Sequence, residues 1–397
     1  MPTHQEGKFL ILLLGNRIQP ATMLAYHLQP DRVACIGSAD RPETLDEVTA
    51  ALAHLPRPPR VEGRRKVAPY RLDETLAAID ALLADRADLA PVIGLTGCPL
   101  PMSIAGYEAG RRLGCPVLYV NTQGAEIVDF TRPEQTEPLR IRFKKVDDYL
   151  AICGLAAFER GKPACVSTEA DRQNAAQLLG RAGEAGIRLI AALRAAGLPQ
   201  AGVVHLPAAS LDDEVRRLLR GLARARLLTD RIERLDGSVT CRIPAAGEAA
   251  FLNGDWLEAY VWGVAEALRG LEPALFDVAA RGVAFRSGTA EREIDFIALR
   301  GGVPLIASCK SSADPWHKED LDELAAIAQL LGGNYVTRLF IAHQNPPLRV
   351  SSQAADPYRQ FQEQARRLRI VLVTGRDLGR LDQILRQELL DPTYKPV

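Results

Sequence analysis

A chain of 397 residues is two to three times the size of a typical single domain, so two or three domains are expected, each with its own core, and a small disulfide-stapled scaffold is excluded. Hydrophobic residues make up 47% of the chain and charged residues 25%, the composition of an ordinary folded protein rather than a disordered or fibrous one. Lys and Arg number 49 and Asp and Glu 49, so the zero net charge excludes binding nucleic acid by bulk charge and leaves only a local basic groove for a polyanion.

The first segment alternates short apolar strands with amphipathic helices: a strand at Phe9 to Leu14, a helix from Ala21, a strand at Arg32 to Ile36 and a helix from Glu43 to Leu55. Beyond a basic, Pro-rich loop at Arg57 to Arg65 come a helix at Asp73 to Leu83, a strand at Val92 to Leu95, a helix at Met102 to Leu113 and a strand at Val117 to Val120. Short strands without polar alternation, spaced by helices, form a parallel sheet covered on both faces, so this domain reads as Rossmann-like. Ala125 to Phe143 alternates apolar and polar residues around Thr131-Arg132-Pro133 and reads as a hairpin. Tyr149 to Ala245 reads as mostly helical, with helices at Glu184 to Ala196 and Asp212 to Leu228. Leu218 to Val239 fits the second half of a winged-helix unit, because a helix leads into the polar turn Asp236-Gly237 and a strand. From Phe251 onward the pattern is α+β, with an antiparallel pair turning at Gly301-Gly302.

The seven cysteines are odd in number, hold no C-x-x-C and mostly sit in apolar runs, so they read as reduced core thiols. The six histidines are too scattered for a zinc site of the usual spacing. Met1 to Gly7 carries no basic region ahead of Phe9 to Leu14, a stretch too short to span a bilayer, and a cytoplasmic protein without membrane contact is expected.

Two constellations can carry chemistry. Asn253 to Tyr260 opens a helix whose apolar stripe is Leu257, Tyr260, Val261, Val264 and Leu268, with Glu258 beside it; on spacing alone, Asp255 and Glu258 are better read as a capping box. In the second, period two places Glu293 with Asp295 on one strand face and Ser308 with Lys310 on one face of the next. Carboxylate oxygens suit a hard divalent cation and a nearby ammonium stabilises developing negative charge, whereas the plain alternative is an ion pair at a strand end.

Taken together, Gly254-x-Trp256-Leu257-Glu258-x-Tyr260, then Glu293-x-Asp295, then Cys309-Lys310 resemble the PD-(D/E)xK nuclease domain of the CRISPR-associated Rossmann-fold (CARF) effector nucleases of type III CRISPR systems. The resemblance covers residues 246 to 375 by motif and 1 to 150 by architecture. It implies a CARF-like sensor of cyclic oligoadenylate at 1–150, a helical, winged-helix-like connecting segment at 151–245, and a restriction-endonuclease-like α+β domain at 246–397. It also implies a phosphodiesterase dependent on Mg²⁺ or Mn²⁺, built on Glu258, Asp295 and Lys310. The family commonly has an acid two residues before the Lys, where this chain has Ser308. In some restriction endonucleases with a similar Ser-x-Lys strand the missing acid comes from the next helix, which here offers Glu323; metal ligation is therefore expected from Asp295, Glu258 and Glu323. Glu319 and Asp320 read as a solvated helix face.

Two loops leave the carboxyl ends of predicted parallel strands and lead into helices. Gly15-Asn16-Arg17-Ile18-Gln19-Pro20 sets Pro20 at a helix start, where backbone N–H groups can meet phosphate. Thr96-Gly97 through Met102 is similar to the Thr-Gly-Gly-Thr-Lys-x-Met loop of CARF domains, whose two-fold dimer binds cyclic oligoadenylates, but lacks the Lys. The resemblance thus implies a homodimer holding cyclic tetra-adenylate through Gly15, Asn16, Arg17, Gln19, Pro20, Thr96, Gly97 and Met102, with Arg17 replacing the lost Lys, and RNA or DNA as substrate. Two rivals stand beside this reading: a ligand-responsive DNA-binding regulator with an inactive nuclease-like domain, and a constitutive restriction or repair endonuclease. The basic run Arg140, Arg142, Lys144 and Lys145 reads as a solvated hairpin face.

Overall fold

Phe9–Leu14 form β1, and all six side chains are buried, as a parallel strand covered on both faces requires. After it come α1 (Gln19–Leu28), β2 (Arg32–Ser38), α2 (Thr44–Ala53), β3 (Arg60–Val67), α3 (Leu72–Leu83), β4 (Pro91–Gly94), α4 (Leu100–Leu113) and β5 (Val117–Asn121). The five strands run parallel in the order β3-β2-β1-β4-β5, and the expected hairpin, β6 (Glu126–Asp129) and β7 (Thr136–Pro138), extends the sheet antiparallel. Winding reverses between β1 and β4, which opens a crevice at their carboxyl ends. Arg60 to Arg65, expected in a loop, instead belongs to β3. The strand lies at the sheet edge, where exposed Arg60, Arg64, Arg65 and Lys66 are tolerated and discourage edge-to-edge pairing. This computed structural model describes residues 8–84, 89–122, 125–161, 163–198, 200–347 and 356–394, so the expectation for Met1 to Gly7 lies outside the described residues.

The middle of the chain contains α5 (Val146–Ile152), β8 (Ala156–Ala157), α6 (Glu169–Gly180), α7 (Glu184–Ala195), β9 (Gly202–Leu206), α8 (Asp213–Arg224), β10 (Thr229–Glu233), β11 (Val239–Ile243) and α9 (Ala246–Ala250). Helix α6 starts at a capping box: the Thr168 hydroxyl accepts the Asp171 N–H at 3.1 Å and the Asp171 carboxylate accepts the Thr168 N–H at 3.0 Å. The hairpin β10–β11 comes after α8 and turns through Asp236-Gly237, and β9 completes a three-stranded antiparallel sheet, the helix-and-wing arrangement expected there.

The last segment adds α10 (Trp256–Leu271), β12 (Val278–Ser287), β13 (Ala290–Arg300), β14 (Val303–Lys310), α11 (Lys318–Leu331), β15 (Thr337–Ala342), α12 (Pro357–Arg367), β16 (Ile370–Val373) and α13 (Leu381–Leu390). Its six-stranded sheet runs β16-β15-β14-β13-β12-β8, antiparallel from β12 to β14 and parallel from β14 to β16, with β8 of the middle segment pairing on its edge. The cores cross the expected boundaries near 150 and 246. One cluster joins α6, α7, α8 and β11 to α10 and α13, and another joins β1, α1, α2 and α5 to β13, α11 and α12. Burying one Leu or Phe is worth about 1.5–3 kcal/mol, so these shared cores hold all three units in a fixed relation. Cys165 is exposed, against the expectation of a core thiol, because it lies in the irregular segment before α6. Among the described residues no helix is long and apolar enough to cross a membrane.

Candidate active site

Three elements meet at the end of the β13–β14 pairing. The two strands are paired from Phe296 with Ala307 to Arg300 with Val303, and beyond that point they part. Asp295 is the first residue past the paired stretch. Its carboxylate accepts the Cys309 N–H at 2.7 Å, and the Ser308 hydroxyl donates to the same oxygen at 3.5 Å. Ser308, where an acid was expected, thus faces Asp295. A cavity of about 270 Å³ opens here, lined by Glu293, Asp295, Ser308, Lys310, Asp320 and Glu323 among others.

Glu258 approaches from the other side. The segment before it is already helical: α9 runs into a π-helical turn at Phe251–Asp255 and then into α10. No free helix end exists at Asp255, and its side chain makes no capping hydrogen bond, so the capping-box reading of Asp255 and Glu258 is corrected. The π turn inserts a residue into the helical repeat and re-aims the side chains of α10, a feature common at functional sites. The stripe Leu257, Tyr260, Val261, Val264 and Leu268 is buried, and Glu258 lines a larger groove of about 1070 Å³ with Asp255, Arg172, Arg281 and Glu293. Gly282 of β12, opposite Asp295 in the register, has a φ of +58°, and a Cβ there would lie 3.6 Å from both Glu258 Oε2 and Glu293 Oε1. The positive φ calls for glycine here, whereas a Cβ would make only ordinary contact with the two acids. Glu293 and its ion-pair partner Arg160 line both cavities and separate them.

The electrostatics result from this crowding. Burial, then the charges of Asp295, Asp255 and Glu293, push the Glu258 carboxyl up to about 9. Burial also drives Asp295 up to about 6, with Glu293 and Glu323 adding to the rise and the Cys309 N–H and Lys310 opposing it. Burial works against the Lys310 charge, but the hydrogen bond and charge of Asp320, then Asp295 and Glu323, hold its ammonium above the ordinary lysine value. Lys310 pairs with Asp320 at 2.7 Å rather than with Asp295. Two expectations are thereby corrected: no Asp295–Lys310 ion pair closes the strand ends, and Asp320 is a buried-side partner of Lys310, facing inward from the first turn of α11. Glu319 is exposed as expected. Glu323 has an exposed side chain that still lines the Lys310 cavity.

Half-buried carboxylates that repel one another, gathered beside Gly282, suit a hard, oxygen-seeking cation such as Mg²⁺ or Mn²⁺. Among the described residues no three His, Cys, Asp or Glu side chains already form a closed metal cage. The donor set is gathered around the cavities without being drawn together.

At the opposite end of α11 the loop after β1 comes into contact with this unit. A Cβ on Gly15 would lie 2.0 Å from the Gly97 carbonyl oxygen, so the loops after β1 and β4 touch across the crevice. Asn16 and Gly97 are exposed there, and Pro20 lies in the first turn of α1. Four of the expected ligand contacts are otherwise engaged. Met102 is fully buried in the core, because α4 turns its first inward face onto the sheet. Thr96 is buried and its hydroxyl accepts the Val120 N–H at 2.7 Å. Gln19 is buried and donates to the Tyr149 hydroxyl at 3.0 Å, and Tyr149 in turn donates to the Leu331 carbonyl. Arg17 turns toward α11, donating to Gln329 Oε1 at 2.8 Å and the Gly332 carbonyl at 3.4 Å. Sequence reasoning missed Arg160 and the inward role of Asp320, for which no local pattern exists, and Gly282, whose place inside an apolar strand is the signal.

No family model matches the chain, and no curated protein matches it. Solved structures do. The chain is similar to Can2 from Sulfobacillus thermosulfidooxidans, solved in complex with cyclic tetra-adenylate, at 17% identity and a TM-score of 0.68 over 96% of this chain and 98% of that one. It is similar to protein VC1899 from Vibrio cholerae at 16% identity and a TM-score of 0.76, again over 96% and 98%. A type III CRISPR defence DNA nuclease activated by cyclic oligoadenylate matches at 17% identity and a TM-score of 0.54, over 92% of this chain and 52% of that one. What the chain shares with these proteins is the fold, along nearly its whole length.

Proposed function

From a CARF-type fold joined to a cavity of acids and a lysine, we propose that the protein is a metal-dependent nuclease, activated by a cyclic oligoadenylate and acting in cytoplasmic type III CRISPR defence. The observation that carries this reading is the convergence of Glu258, Asp295 and Lys310, from three different elements, on two adjoining cavities at the parting of β13 and β14. Asp295, fixed by the Cys309 N–H, Glu258, and Glu323 in place of the acid absent at Ser308 would hold Mg²⁺ or Mn²⁺. Such an ion would polarise the scissile phosphate and activate water. Lys310 stabilises the negative charge that develops on the phosphate once its ammonium is no longer shared with Asp320. The groove on the Glu258 side, with Arg160, Arg172 and Arg281 along it, is the approach for an RNA or DNA strand.

The crevice formed by Gly15, Asn16, Gly97 and Pro20, beside the first turns of α1 and α4, supports binding of cyclic tetra-adenylate, the ligand of Can2, whose phosphates would meet backbone N–H groups there. A two-fold ligand calls for a homodimer, and α4 presents exposed Leu100, Ile104 and Tyr107 on one face beside the crevice. Contacts of Arg17 and Tyr149 with the far end of α11, whose first turn carries Asp320, support a mechanical route from sensor to site. Incubation of RNA, single-stranded DNA and duplex DNA with the protein and Mn²⁺, with and without cyclic tetra-adenylate, tests the reading: cleavage is expected only with both. One observation favours the regulator reading instead: α8 carries exposed Arg217, Arg220 and Arg224 ahead of the β10–β11 wing. Sequence-specific duplex binding without cleavage would establish it.

A further inference from the structure

Arg194 lies on α7, in the middle segment, outside every element that supplies a candidate catalytic side chain. Its guanidinium donates four hydrogen bonds. Nη1 donates to the Ser311 carbonyl at 2.6 Å, Nη2 donates to the Asn253 carbonyl at 2.6 Å and to Ser311 Oγ at 2.9 Å, and Nε donates to Asn253 Oδ1 at 3.2 Å. Ser311 Oγ also donates to the Asn253 carbonyl at 2.8 Å, which closes the network. No carboxylate among the described residues pairs with Arg194. Its charge is spent on neutral acceptors, two of them backbone carbonyls that a lone residue change on the partners could not remove.

These acceptors sit at two sensitive places. Asn253 lies in the π turn that re-aims the chain into α10, five residues ahead of Glu258. Ser311 is the residue immediately after Lys310, where β14 ends and regular strand pairing stops. A π turn and a strand end are both places where the backbone lacks its usual restraint, and one planar fork spans the two. Glu258 and Lys310 share no direct contact, so their separation is set by what ties their elements together. We propose that Arg194 is a positioning residue: it fixes the π turn of Glu258 against the end of the Lys310 strand, so that the middle segment is part of the catalytic assembly and not a tether. This rests on the reading of the site as a nuclease centre. Catalytic groups have to be held to within about 0.5 Å of their working geometry, and a flexible ammonium cannot replace a two-pronged donor here.

The test compares Arg194→Lys, Arg194→Ala, Arg194→Gln, Arg188→Ala and Asp295→Asn in the full chain with Mn²⁺ and cyclic tetra-adenylate. Arg188, on the same helix, pairs with Asp212 and Glu214 within the middle segment and serves as the control. Arg194→Lys is expected to lower kcat about 10- to 100-fold with KM for nucleic acid changed by less than about threefold, the split expected of lost transition-state positioning. Without metal or activator, hydrogen exchange at the amides of 253–258 should quicken in Arg194→Lys and remain as in the wild type in Arg188→Ala. Arg194→Ala should regain activity severalfold with added guanidinium, and Arg188→Ala should cleave normally. Should Arg194→Lys fail to fold, the neutral Arg194→Gln, which cannot reach both segments at once, decides: a lowered kcat with unchanged KM supports the proposal, and a wild-type kcat overturns it. An inactive Asp295→Asn beside an Arg194→Lys of wild-type kcat overturns the positioning role alone. Wild-type cleavage by Asp295→Asn overturns the reading of the site and this proposal with it.

Discussion

Replacing Glu258 by Gln should abolish cleavage and yet stabilise the metal-free protein at alkaline pH. In the fold the Glu258 carboxyl is raised to about 9 from an ordinary 4.5, chiefly by burial and then by Asp295, Asp255 and Glu293. Between these two values the folded state holds a proton that the unfolded state has lost, so stability falls as pH rises, by up to about 1.4 kcal/mol per pH unit. At pH 8 the cost accumulated since pH 4.5 has a ceiling of about 5 kcal/mol, and at pH 5 it is below about 1 kcal/mol. Relaxation and water entry around the carboxyl bring the expected gain from Glu258→Gln down to about 1–3 kcal/mol at pH 8. The neutral amide keeps the shape of the acid and carries no charge to bury. Thermal or urea unfolding in EDTA, run at pH 5 and pH 8, measures it. Mn²⁺ should narrow the difference by stabilising the wild type alone at pH 8. A Glu258→Gln protein no more stable than the wild type at pH 8, or equally favoured at both pH values, refutes the electrostatic account of the site.

Glu323→Gln should lower kcat about as much as Asp295→Asn, and Glu319→Gln should cleave normally; equal, full activity in both Glu variants shows that no ligand has moved to α11. Gln329→Ala frees the Arg17 guanidinium from a neutral hydrogen bond worth about 0.5–1.5 kcal/mol, so cyclic tetra-adenylate should bind about 2- to 12-fold tighter by calorimetry. Unchanged or weaker binding rules out competition between ligand and α11 for Arg17. Ile104→Glu places a charge in the exposed stripe of α4 and should shift sedimentation from dimer toward monomer, with loss of activator response; an unaffected dimer moves the interface elsewhere.

The alternation of strand and helix in the first 121 residues was legible because buried parallel strands are apolar throughout, as β1 is. β3 was not, since an edge strand covered on few sides keeps the charged composition of a loop. Helix α6 carried a visible signal, Thr168-x-x-Asp171, that its weak apolar stripe obscured. At the site, period two placed Glu293 with Asp295 and Ser308 with Lys310 correctly, because face alternation is a local property of a strand. The Lys310–Asp320 pair, the Arg17 contacts with α11 and the Arg194 clamp join residues far apart in sequence and have no spacing to betray them. Spacing also misled at Asp255: four residues that match a capping box have no capping to do when the helix has already begun.

The most direct measurement of the central claim is cleavage of labelled RNA, single-stranded DNA and duplex DNA by the wild type and by Asp295→Asn, in Mn²⁺ or EDTA, with and without cyclic tetra-adenylate. Cleavage by the wild type only when Mn²⁺ and the cyclic nucleotide are both present, and none by a folded Asp295→Asn under any condition, is the expected result. Cleavage that persists in Asp295→Asn, or in EDTA, or that is as fast without the nucleotide as with it, contradicts the account.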